Sequence, residues 1–140
     1  MTTDRRTTGY SGTPLPRKLG IKAGGRVCWV GAPAGFADLV APLPEDVEVV
    51  DAPEPGLDVV VFFTDARARL EAEIEALRAA IAPDGAVWVA WPKKSSGVPT
   101  DMTEDVVRDV ALPTGLVDNK VCAIDETWSG LRLVIRRELR

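Results

Sequence analysis

The densest group of reactive side chains is Trp91-Pro92-Lys93-Lys94-Ser95-Ser96-Gly97, which follows an apolar run. Two ammonium groups, two hydroxyls and a glycine in one short stretch can hold a phosphate or carboxylate, with Lys93 as first cation, Lys94 as second, Ser95 as hydroxyl donor and Trp91 at the border. It is not a Walker loop, which needs GxxxxGK[ST]; its plain alternative is an exposed connection. A second group is Gly31-Ala32-Pro33-Ala34-Gly35, placed where a strand gives way to a helix. Closely spaced glycines there let backbone N–H groups approach a nucleotide, but Pro33 lacks an N–H and two alanines carry methyls, so a tight turn competes with a ligand loop at Gly31 and Gly35. Asp51 closes the next apolar run, where a carboxylate accepts from ribose hydroxyls in nucleotide-binding folds and where aspartate is also a common turn residue.

Other chemistries are excluded by composition. The chain has no histidine, which removes the Ser-His-Asp triad, the Cys-His dyad and the ordinary zinc hydrolase sites. No residue is assigned a catalytic role and no metal site is expected. Cys28 and Cys122 each lie inside an apolar run and read as buried free thiols, which points to a reducing, cytoplasmic setting. Seventeen basic residues face 21 acidic ones, a net charge of −4, so neither nucleic acid nor an anionic membrane is an expected partner. Arg5, Arg6, Arg17, Lys18 and Lys22, with Arg136, Arg137 and Arg140, read as small solubilising patches at the two ends. No apolar stretch is long enough to span a bilayer, and the N-terminus has no apolar core of a signal peptide.

These groups need elements to position them. A chain of 140 residues makes one domain, expected over 14–140 behind a mobile arm at 1–13. Apolar runs at 26–32, 47–51, 57–64 and 86–91 predict strands, and their continuity predicts cover on both faces, as in a parallel sheet. Between the last two, Leu70, Ile74, Leu77 and Ile81 recur at helical spacing and predict a helix over 65–82, capped by Thr64 or Asp65 and stopped by Pro83-Asp84-Gly85. Strand, helix and strand make a right-handed βαβ unit. A short helix is expected over 36–43. Only five residues separate Asp51 from Leu57, too few for a helical crossover, so the second and third strands are not expected as parallel neighbours, though an extended linker lets them lie on opposite sides of the first. A second helix starts at Thr103-Glu104-Asp105 and ends at Pro113-Thr114-Gly115. Runs at 117–124 and 131–136 close the chain as an antiparallel hairpin, with Trp128 as either a cap over the core or a contact surface.

This order of elements resembles a shortened class I methyltransferase over residues 20–137, and implies an α/β three-layer, Rossmann-like, mostly parallel sheet with a C-terminal antiparallel hairpin. Tyr10-Ser11-Gly12-Thr13-Pro14-Leu15-Pro16, Lys18-Leu19-Gly20-Ile21, Trp91-Pro92-Lys93-Lys94-Ser95, Gly115-Leu116-Val117-Asp118, Lys120-Val121-Cys122 and Trp128-Ser129-Gly130-Leu131 resemble the bacterial domain-of-unknown-function family numbered 3052. That resemblance implies small stand-alone proteins and brings no activity with it.

Three functions are compatible with these residues. The first expectation is a non-catalytic binding or regulatory module without a cofactor, keeping a crevice near Gly31, Asp51 and Lys93 for a small anionic ligand or a protein partner. The second is an adenosylmethionine-dependent methyltransferase, in which Gly31, Gly35 and Asp51 bind cofactor and 91–94 borders the substrate. The third is a structural subunit of a larger assembly. Homodimerisation through a sheet edge or the hairpin is compatible with all three and required by none.

Overall fold

The computed structural model describes residues 13–140, and the expected arm at 1–13 lies outside them apart from Thr13. In chain order the elements are α1 (Leu15–Lys18), β1 (Arg26–Val30), α2 (Phe36–Leu39), β2 (Glu48–Val50), β3 (Leu57–Phe63), α3 (Arg67–Ala80), β4 (Ile81–Pro92), α4 (Glu104–Ala111), β5 (Leu116–Ala123) and β6 (Trp128–Ile135). One six-stranded sheet runs β2-β1-β3-β4-β6-β5. The first four strands are parallel, and β6 is antiparallel to both β4 and β5. The sheet thus has the expected Rossmann-like form, closed by the expected hairpin.

Strand alternation sorts the apolar side chains into two layers. Cys28, Val60, Phe62, Val87 and Val89 are buried with Leu70, Ile74 and Leu77 of α3 and Val107 and Ala111 of α4. Val27, Val59, Val61, Trp88 and Ala90 turn to the opposite face, where Leu19, Ile21, Phe36 and Val40 cover them. Trp88 is fully buried there, and its indole N–H donates to the Leu19 carbonyl at 2.9 Å, which ties α1 to the middle of the sheet.

α3 has the predicted apolar face but different ends. Pro83 disfavours helical geometry at Ala82, and Ile81 is already extended (φ −91°, ψ 147°), so β4 begins directly where the helix stops. Neither Thr64 nor Asp65 is the N-cap; Ala66 holds that position without a side-chain cap of its own. Thr103 caps α4 as expected, its hydroxyl accepting from the Val106 N–H at 3.1 Å.

The short connection of residues 51–56 carries the chain from β2 to β3 around β1. Arg26, the first residue of β1, holds the turn: its guanidinium pairs with Glu48 of β2 and Glu54 of the connection, and its N–H donates to Asp58 of β3 at 2.9 Å. No helix among the described residues is long and apolar enough to cross a membrane.

Candidate functional site

With β2 on one side of β1 and β3 on the other, the chain reverses its direction of progress across the sheet at β1. In open α/β sheets the crevice outside the carboxyl ends of the strands at such a point is where ligands bind. Gly31 leaves β1 at φ 69°, and a Cβ there would lie 2.9 Å from the Phe63 carbonyl oxygen. Glycine is therefore demanded by the close approach of the β1 and β3 ends. Gly35, at φ 89°, precedes α2, and a Cβ on it would meet nothing within 4 Å, so the backbone there is open. Between them the Phe36 N–H donates to the Pro33 carbonyl at 3.1 Å and tightens the turn. Asp51 is exposed one residue beyond β2. Cys28 pairs with Val50 in the ladder, so Asp51 sits two residue steps below Gly31 along the neighbouring strand, about 7 Å along the strand direction. The Cys28 thiol is pushed up first by burial and then by the charges of Asp51 and Glu54.

The same edge of the sheet carries a cleft of about 740 Å³ further along, between α1, Leu39 of α2, Lys93 and the turn joining β5 to β6. Pro14, Leu15, Leu39 and Ile124 make its apolar wall, while Lys18, Lys93, Asp125 and Glu126 bring two cations and two carboxylates. A mixed lining at this volume suits a small amphipathic ligand. The turn is built by Asp125, whose Oδ1 accepts from the N–H groups of Thr127 and Trp128, both at 2.8 Å. Lys93 is fixed through its backbone N–H, which donates to the Thr127 carbonyl at 2.7 Å. Trp29, Phe36, Phe63 and Trp128 pack edge-on in series with centroids 5.0–5.2 Å apart, so Trp128 caps the core beneath the α1 and α2 layer.

The structure divides the predicted site. Gly31, Gly35 and Asp51 share the β1 end of the edge, whereas Lys93 lies two strands over and three residue steps higher than Gly31, about 14 Å away. A single crevice formed by Gly31, Asp51 and Lys93 is therefore replaced by two neighbouring places. Trp91 does not border either: alternation points it to the opposite face, where it is buried with Met102 and Val107. Lys94 and Ser95 are exposed in the short turn Lys94–Ser96 and do not line the cleft. Sequence reasoning missed Lys18, Asp125 and Glu126, which reach the cleft through α1 and the hairpin turn; only the Asp125-Glu126-Thr127 turn chemistry hinted at the last two.

No protein-family model and no curated protein matches the chain. Solved structures do match. A SAM-dependent methyltransferase from Aquifex aeolicus is 16% identical, with a TM-score of 0.63 over 86% of this chain and 88% of that one. A possible exported protein from Bordetella parapertussis, 11% identical, has a TM-score of 0.65 over 87% of this chain and 66% of its own. Aeropyrum pernix fibrillarin in complex with natively bound S-adenosyl-L-methionine is 14% identical, with a TM-score of 0.55 over 90% and 70% of the two chains. The fold is thus the methyltransferase-like one. The expectation of a non-catalytic regulatory module with a degenerate crevice is corrected accordingly: methyltransferases are among the structures that share this fold over most of the chain.

Proposed function

We propose that this chain is a small S-adenosylmethionine-dependent methyltransferase, with the cofactor at the Gly31 and Asp51 end of the sheet edge and the methyl acceptor in the cleft beside Lys93. The observation that carries this is the reversal at β1, where Gly31 packs on the Phe63 carbonyl and Gly31, Gly35 and Asp51 are exposed beyond the carboxyl ends of β1 and β2. The fibrillarin structure of the same fold contains S-adenosyl-L-methionine, which supports that class of ligand here.

The residues present fit the nucleoside. Asp51 offers an exposed carboxylate to ribose hydroxyls, and Gly35 leaves open backbone where a side chain would intrude. Pro33 withdraws one N–H from the loop, so more of the selectivity falls on Asp51. When bound, the cofactor supplies an electrophilic methyl group on a sulfonium. The chain's own part is to orient the acceptor: the apolar wall of Leu15, Leu39 and Ile124 excludes water, Lys18 and Lys93 hold an anionic group, and the carboxylates of Asp125 and Glu126 can take up a proton. None of these steps needs histidine. Membership of the family numbered 3052 is part of the same proposal and is supported by the segments that carry that resemblance, of which Pro14-Leu15-Pro16 and Lys93 line the cleft.

Calorimetric titration with S-adenosylhomocysteine tests the reading. Saturable binding that raises Tm with concentration, and weakens in Asp51→Ala, is expected. Absence of binding by both S-adenosylmethionine and S-adenosylhomocysteine would refute it.

A further inference from the structure

Most of the arginines that make ion pairs here are matched within their own neighbourhood: Arg26 with Glu48 and Glu54, Arg67 with Glu71, Arg108 with Glu104, Asp105 and Asp118, Arg136 with Glu138. One patch departs from this. Arg17 of α1 and Lys120 and Arg132 of the hairpin, beside Lys18, Gly20 and Asn119, line a depression of about 270 Å³ that has no carboxylate among its described lining residues. Arg17 and Lys18 read in the sequence as part of a solubilising end; folding brings them against two cations more than a hundred residues away.

A β-bulge creates the patch. The ladder between β5 and β6 shifts register between Asp118 and Lys120. Regular alternation would put residues two apart on the same face, but the extra residue sends them to opposite faces. Asp118 turns to α4 and pairs with Arg108 at 3.0 Å, and Lys120 turns to α1, donating to the Lys18 carbonyl at 3.2 Å. The bulge thereby removes the nearest carboxylate and places Lys120 directly across from Arg132. Arg132 is half-buried, and among the described residues no carboxylate pairs with it. Burial, and then the charge of Arg140, lower its pKa from the ordinary arginine value. A half-buried cation among cations is costly unless an anion joins it.

We propose that this depression binds a phosphoryl group, with Arg132 and Lys120 holding it from the sheet and Arg17 from α1. Its size suits one or two phosphoryl units, and its lining has no large apolar side chain to take a nucleobase. A polynucleotide backbone is disfavoured by the net charge of −4. Lys18 also lines the acceptor cleft, so α1 is a wall shared by the two places.

The test is titration of the full chain, without S-adenosylmethionine, against sodium pyrophosphate and separately adenosine diphosphate, each compared with sodium chloride at equal ionic strength. Saturable binding and a rising Tm are expected with at least one of them, weakened about tenfold or more in Arg132→Gln. Dependence on Arg132 with pyrophosphate alone assigns the free inorganic anion, and with adenosine diphosphate alone a phosphorylated metabolite. Arg17→Gln, on an exposed side chain, gives the same comparison should Arg132→Gln fold poorly. No response beyond that of sodium chloride, or affinity unchanged in both variants, would overturn the proposal.

Discussion

Asp101 accepts a 2.8 Å hydrogen bond from the N–H of Arg67, 34 residues earlier, and so caps α3 from outside the helix. Beside it the Thr100 hydroxyl donates to the Asp65 carbonyl at 2.6 Å. These two bonds fold the segment after β4 back over the end of β3, and the anion-attracting terminus of α3 is filled by the protein's own carboxylate. Asp101→Ala should therefore cost about 1 kcal/mol in urea unfolding, as other lost caps do, while Asp101→Asn, which keeps an acceptor, should cost less. Equal losses in both variants would place the stabilisation elsewhere.

Gly31 and Gly35 both have positive φ, but their surroundings differ. Alanine at either pays about 1–2 kcal/mol for the left-handed backbone. At 31 it also meets the Phe63 carbonyl at 2.9 Å, whereas at 35 it meets open space. Thermal unfolding should show Gly31→Ala clearly less stable than Gly35→Ala. Binding should reverse part of that order, since a methyl at 35 intrudes on the open loop.

Cys28 gives a pH dependence. Its thiol pKa is raised above the ordinary 9.0 chiefly by burial, so the folded state holds the proton after the unfolded state has lost it. The stabilisation is full below about pH 9 and declines as pH rises through the folded value. In a Tm series from pH 8 to 10.5, Cys28→Ala should start lower because of its cavity and fall less steeply. Ellman's reagent should label the half-buried Cys122 before Cys28 in the native protein.

In the proposed methyltransferase, Asp51 belongs to the cofactor's place and Lys93 to the acceptor's. Asp51→Ala should weaken S-adenosylhomocysteine about tenfold. Lys93→Ala should leave that affinity unchanged, because its strand position is about 14 Å from Gly31, beyond the screening length of physiological salt. Equal weakening by both would mean that the two places are one.

The parts of the fold legible in the sequence are those set by local periodicity. Leu70, Ile74 and Leu77 identify α3 because 3.6-residue spacing needs no partner to be seen, and Thr103 marks the start of α4 through a bond within one helical turn. That β2 and β3 are not neighbours was also readable, since five residues cannot make a crossover helix; their places on either side of β1 came from the folded sheet. The N-terminal end of α3 was not readable, because Asp101 comes from a distant segment. Trp91 was misplaced as a ligand border for a related reason: a continuous apolar strand hides which of its alternate side chains faces which layer.

Residue types thus determined by themselves that the chain makes a Rossmann-like sheet with a closing hairpin and that histidine-based chemistry is excluded, because burial preference, helical spacing and the absence of a side chain are properties of the chain alone. Tertiary structure alone decided that Lys93 shares a cleft with Asp125 rather than with Asp51, and that Arg17, Lys120 and Arg132 share one depression. Those neighbours depend on strand order and on one extra residue at Asn119, and a single residue of register moves a charge from one face of a sheet to the other.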